Sequence, residues 1–160
     1  MLTLISQPTD AIKQFRAKSW PFQQTFKTPL NNLNGFVSTL LALFSAQSGV
    51  LSTDEVVFEP LNIQQLLANS SLRLEDWQHI TIEASGKEAV AALLEAALSD
   101  WVDFVFLPSP EDFAIYADHD EYTTFYGRGS EALRALSERL QTVGCEAVEG
   151  YTRECLGDKE

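Results

Sequence analysis

Apolar positions in the second half of the chain change their period repeatedly, and each change marks an element. From His79 to Ala84, Ile80, Ile82 and Ala84 alternate with Thr81 and Glu83, the period of two expected of a half-buried strand. Val90, Leu93, Leu94, Ala97 and Leu98 then recur at helical spacing. Ser85, with Glu88 three residues on, offers that helix a capping box. Trp101–Leu107 is apolar at nearly every position, which predicts a central strand covered on both faces. Pro108-Ser109-Pro110 breaks it. Phe113–Ala117 and Tyr122–Tyr126 flank a four-residue connection of hairpin length. A last helix, opened by Ser130, buries Leu133, Leu136, Leu140 and Val143 until Gly144 stops it. Glu146–Gly150 supplies a short final strand, and residues 151–160 read as a polar, flexible tail.

The first half is plainer. Thr9 and Asp10 can cap a short helix over Thr9–Trp20, with Ile12 and Phe15 inward and Pro21 as its stop. Phe22–Leu30 has no clear period and reads as loop. Asn31 and Asn32 then offer an N-cap to a helix whose Leu33, Phe36, Val37, Leu40, Leu41 and Phe44 form a full stripe. No charged residue lies between Lys27 and Asp54, so this helix is either central or covered by a second copy of the chain. Glu55–Glu59 reads as a short strand ended by Pro60, and Leu61–Ala68 as a short helix.

Together these elements predict a single α+β domain over residues 1–160. The stretch 78–150 would be a helix-covered β-meander in the order β-α-β-β-β-α-β, on an antiparallel-rich sheet. Residues 1–50 would be mainly helical and cover the other face. The aromatic stripe Phe104, Phe106, Phe113, Tyr116, Tyr122, Phe125 and Tyr126 would sit in the core.

Composition agrees with a globular domain. It has 160 residues, 45% apolar and 21% charged. Charge adds something new, because the net of −12 is unevenly placed. Residues 1–50 carry four bases against one acid, residues 51–121 two bases against fifteen acids, and residues 122–160 five against seven. The acidic middle of the chain, residues 51–121, therefore favours basic partners, and argues against nucleic acid or an anionic membrane as ligand. The start lacks a cationic segment followed by a long apolar run, and Cys145 and Cys155 form no CxxC pair. The expected compartment is the cytoplasm, with reduced thiols.

Candidate chemistry is sparse. Asp118-His119-Asp120-Glu121 puts three carboxylates and an imidazole in one turn, the composition of a site for a hard cation or a tuned acid-base group. Adjacent side chains at a hairpin tip point in different directions, however, and the calcium-loop glycine is missing. Gly127-Arg128-Gly129-Ser130 precedes a helix, but Leu133 stands near the third glycine of a dinucleotide fingerprint and no Gly-Lys-Ser/Thr follows. Neither G-x-S-x-G nor H-E-x-x-H occurs, and Cys145 falls just past a helix C-terminus, where a thiolate is disfavoured.

The expectation is thus a non-catalytic, acidic protein-binding domain without cofactor or metal. The form it suggests is an inhibitor or immunity-type protein that neutralises a basic partner such as a nuclease-type toxin. Asp112, Tyr116, Asp118, His119, Asp120, Glu121 and Tyr122 are its candidate contacts. Two alternatives stand beside it. One is a small metal-dependent enzyme centred on the Asp118–Glu121 turn. The other is a scaffold that self-associates, as a homodimer, through the uncharged helix Leu33–Phe44.

Overall fold

The computed structural model describes residues 1–5, 11–44, 46–74, 77–78, 80–110 and 113–151. Along the chain run β1 (Leu2–Leu4), α1 (Ala11–Ala17), β2 (Phe22–Lys27), a 3-10 turn (Leu30–Asn32), α2 (Leu33–Leu43) and β3 (Ser48–Glu55). Then come α3 (Leu61–Asn69), β4 (Thr81–Ser85), α4 (Lys87–Ser99), β5 (Asp103–Ser109), β6 (Phe113–Ala117), β7 (Tyr122–Gly127), α5 (Ser130–Thr142) and β8 (Ala147–Val148). The strands form one sheet in the order β1-β4-β3-β5-β6-β7-β2-β8, every neighbouring pair antiparallel. The domain is α+β, and β5-β6-β7 is the meander read from the sequence.

Two crossovers explain the order. β4-α4-β5 and β7-α5-β8 each join parallel strands that leave a gap between them, and a strand from the N-terminal half fills each gap: β3 the first, β2 the second. Parallel strands in one sheet need such a helical crossover, because a tight hairpin cannot join them.

The sheet has two unequal faces. Leu51, Ile82, Phe104, Phe106, Phe113, Ile115 and Phe125 face a layer made of α2, α3, α4 and α5 and share one core with Phe36, Leu40, Ile63, Leu93 and Leu136. Rings meet across it: Phe36 and Phe125 at 5.7 Å, Phe44 and Phe113 at 4.3 Å. On the opposite face, among the described residues, α1 covers the centre, packing Ala11 and Phe15 on Val105, Leu107, Ala114 and Tyr116, with Trp20 beside it. The expectation that the helical first half covers the far face therefore holds for α1 only. α2 joins α4 and α5 because its stripe Phe36, Val37, Leu40 and Leu41 is buried against them. Its outward row is Asn34, Ser38 and Ala42, so a homodimer through this helix would meet small neutral side chains rather than the leucines.

Other departures have local causes. Phe22–Lys27 is a strand, not a loop. Only Thr25 and Phe26 of β2 are buried, and Thr25 spends its hydroxyl on Thr124 Oγ1 at 2.7 Å, so no apolar alternation betrays it. The strand placed at Glu55–Glu59 lies earlier, at Ser48–Glu55. Its inward position Gly49 cannot be apolar, since a Cβ there would stand 2.3 Å from the Phe106 ring. β5 runs on through Pro108 to Ser109; past Phe106 it pairs with β3 alone, so the missing amide breaks no second ladder. Neither serine caps its helix. Gly86, at φ 99°, and Gly129 are the N-caps of α4 and α5, without side-chain bonds. Asn32 does cap α2, accepting from the Gly35 amide. Val143, expected inside, is exposed just past α5. The caps Thr9 and Asp10, the residue His79 and the tail 152–160 lie outside the described residues.

One capping interaction is long-range. Pro60 precedes α3 and offers it no side-chain bond. Asp100, at the C-terminus of α4, supplies the acceptor instead: Oδ1 takes the Asn62 amide at 3.0 Å and Asn62 Nδ2 at 2.7 Å, and Oδ2 takes the Ile63 amide at 2.8 Å. A buried carboxylate there satisfies open amides and complements the helix dipole. Asp100→Ala is expected to lower unfolding stability by about 1–2 kcal/mol, measured by urea denaturation, and Asp100→Asn to recover part of it. An unchanged midpoint in the alanine variant would contradict the assignment.

Candidate functional site

β2, β3 and β6 finish at the same end of the sheet at which β5 and β7 begin, and the registers put Glu55 beside Asp103 and the turn 118–121 next to them. Acids on distant parts of the chain therefore meet there. Asp54 and Glu55 close β3, Asp103 opens β5, and Asp118, Asp120 and Glu121 form the β6–β7 turn. Glu146 joins them through its carbonyl, which accepts the Lys27 amide. The other end of the sheet is different in character: Lys87 and Arg128 stand there beside Glu88 and Glu131, and the Arg128 guanidinium lies 5.6 Å over the Trp20 ring.

The turn is built by its first acid. Asp118 is buried, and its Oδ1 accepts the amides of Asp120 at 2.9 Å and Tyr122 at 3.2 Å, an Asx-type turn. Its Oδ2 accepts the hydroxyl of Tyr151, whose ring stacks on Tyr122 at 4.2 Å. Glu121 then adopts φ 71°, the left-handed conformation that a three-residue hairpin loop usually gives to glycine. Its carbonyl accepts the Thr28 amide at 2.7 Å, tying the turn to the end of β2.

His119 is half-buried and turns its Nδ1 toward the start of β5. Asp103 Oδ1 accepts both its backbone amide and its ring Nδ1, each at 2.7 Å, and Asp103 is wholly buried. Glu55 Oε2 lies 3.9 Å from the same nitrogen, and Asp120 Oδ1 lies 3.8 Å from Nε2. One donor atom each from Glu55, Asp103 and His119 fall within 4.8 Å of one another. These residues could hold a cation. The 2.7 Å separation of Nδ1 from Oδ1 is a hydrogen-bond length. As it stands the group is a carboxylate-oriented imidazole. Beside it the buried Tyr116 donates its hydroxyl to Asp54 Oδ2 at 3.3 Å.

A narrow crevice opens at the same end, lined by Thr28, Leu30, Trp101, Asp118 and Glu121. It shares Thr28, Leu30 and Glu121 with a wider depression that includes Lys27, Cys145 and Glu146. Burial pushes the Cys145 thiol up from its ordinary value, which leaves it a poor nucleophile. Trp101 has φ 58°, a second left-handed residue facing the same crevice. A tryptophan in that conformation is a marked departure from backbone preference.

Of the residues expected at the site, the structure gathers Tyr116, Asp118, His119, Asp120, Glu121 and Tyr122 at the acidic end, while Asp112 lies outside the described residues. Tyr116 and Asp118 are buried and work inside the fold; Asp120 is exposed; His119, Glu121 and Tyr122 are half-buried. Sequence reasoning missed Asp54, Glu55, Trp101, Asp103 and Tyr151. Asp103 left a trace: it is the lone acid in the apolar run Trp101–Leu107. No family model matches the chain, and neither a curated protein nor a solved structure does.

Glu121→Gly tests the strain at the turn. Relieving a left-handed non-glycine residue is expected to raise stability by about 1 kcal/mol in chemical denaturation. A loss of stability would show that the glutamate side chain holds the turn together.

Proposed function

We propose that the protein is a non-catalytic binding domain that docks a basic protein through the acidic end of its sheet. The form we favour is an inhibitor or immunity-type protein that covers the cationic cleft of a nuclease-type toxin. The supporting observation is positional. Asp54 and Glu55, Asp120 and Glu121, and Glu146 come from three separate stretches of the sequence yet share one end of the sheet, and each has at least part of its surface in water. Acids gathered in this way create a directional field that attracts a cationic surface and raises the rate of encounter.

The left-handed Glu121 supports the same reading. Glycine would suit the backbone better, and the position carries a carboxylate at the rim of the surface instead. The cytoplasm is the compartment we assign. Cys145 is buried, and the chain has no CxxC pair, a cysteine usage that fits a reducing compartment. No helix among the described residues is long and apolar enough to cross a membrane.

The test uses a cationic partner recovered by affinity capture at low salt, then purified. Reversing Asp120 and Glu121 to lysine is expected to cut its association rate by about 10-fold or more, with the dissociation rate little changed. Added salt should erase most of that difference. Equal association rates for the two proteins at low salt would contradict the proposal.

A metal-dependent activity is a second reading, favoured by the approach of Glu55, Asp103 and His119. The 2.7 Å hydrogen bond between His119 and Asp103 accounts for part of that approach without an ion. In thermal unfolding, Mg²⁺, Mn²⁺ or Zn²⁺ is expected to give no stabilisation that depends on His119. A midpoint raised by one of these ions in the native protein and unmoved in His119→Ala would favour the metal reading instead.

A further inference from the structure

Between β3 and α3 the chain turns over a short knuckle. Val56 and Pro60 are buried and hold it down, while Val57 is 45% exposed, Phe58 57% and Leu61 62%. Three large apolar side chains thus stand in water within five residues, directly after Asp54 and Glu55 and on either side of Glu59. The knuckle is fixed from below, because Asp100 holds the amides of Asn62 and Ile63 at the start of α3. Asp100 also precedes Trp101, whose left-handed backbone places a half-buried indole at the crevice shared with Leu30 and Glu121. The Asp100 cap thus ties the start of α3, just past the knuckle, to the residue before Trp101, and Asp54, Glu55 and Glu59 border the exposed apolar side chains in sequence.

Exposed apolar side chains clustered on a held backbone, with polar groups around them, mark an interface more than they mark a solvated loop. Protein interfaces have an apolar centre that excludes water and a charged rim, and tryptophan and other aromatic residues are common anchors. The charge selects the occupant. A second copy of this chain would set acid against acid, and an anionic membrane would be repelled in the same way.

We propose that Val57, Phe58, Leu61 and Trp101 form the apolar anchor of the docking surface. The partner they fit is a basic protein that presents aliphatic or aromatic side chains inside a rim of lysine and arginine. This rests on the reading of the acidic end as a docking surface and adds its second determinant: charge brings the partner in, and the knuckle holds it.

Two synthetic peptides with the same number of arginines separate the two parts. One intersperses them with serine, the other with leucine and tryptophan. Both should bind at low salt. The apolar peptide should bind about 10-fold more tightly, with amide shifts in NMR at 57–61 and at Trp101. Phe58→Ser, at an exposed position, should abolish that advantage and leave the serine peptide's affinity unchanged. Asp120→Lys with Glu121→Lys should weaken both peptides. Equal binding of the two peptides, or an advantage that survives Phe58→Ser and Leu61→Ser, would overturn the anchor and leave the acidic docking surface standing. Failure of both peptides to bind would overturn the two readings together. A dimer seen by sedimentation and broken by Phe58→Ser would show that the occupant is a second copy, against the proposal.

Discussion

Phe104, Phe106, Phe113, Ile115 and Phe125 cannot face water together, and their need for a cover dictates the rest of the molecule. β5 is buried along nearly all its length and β6 throughout, so both of their faces require partners. One face takes four helices. The other takes α1, which needs only Ala11 and Phe15 to close over Val105, Leu107, Ala114 and Tyr116. Packing on both faces leaves the ends of the strands as the places where polar side chains collect. Six acids, Asp54, Glu55, Asp103, Asp118, Asp120 and Glu121, are therefore delivered to one end of the sheet by topology, though they are spread over three separate stretches of the chain.

That end is also where backbone preference is set aside. Glu121 and Trp101 both adopt left-handed conformations, and both line one crevice. Such conformations persist only where the surrounding structure enforces them. Asp118 enforces the first, accepting the amides of Asp120 and Tyr122, and the Thr28 amide holds the Glu121 carbonyl. The end of α4 enforces the second, with the Asp100 amide bonded back to the Ala96 carbonyl. Buried acids in this region thus act as fasteners for the fold. Asp100, Asp103 and Asp118 each accept two or more hydrogen bonds, and the acids around them are partly exposed to solvent.

How much of this could be read from residues alone depended on burial. β5, β6, α4 and α5 were legible because their buried positions are filled mostly by apolar side chains at the expected period, and β7 because its aromatics Tyr122, Phe125 and Tyr126 follow β6 at hairpin spacing. β2 and β3 were not, because their buried positions include Thr25, Gly49, Ser52 and Thr53. Hydroxyl pairs such as Ser52 with Thr81 do the work of apolar contact there, and a close ring replaces a side chain at Gly49. The Asp118–Glu121 turn was legible as a concentration of acid. Its geometry was not, because Asp118 folds back on the turn and His119 pairs with Asp103, sixteen residues earlier at the start of β5. Val57 and Phe58 were hidden for the opposite reason: apolar residues in a short run suggest a strand, and here they are exposed on a knuckle.

The central claim is that one end of the sheet, and no other part of the surface, receives a basic protein. Amide hydrogen exchange of this protein alone and in complex with its cationic partner measures it most directly. Slowed exchange confined to 54–61, 101–103 and 119–122, with 86–88, 128–131 and the outward row of α2 unchanged, is the predicted result. Protection centred on α2 or on the Gly86 and Gly129 end of the sheet would contradict it.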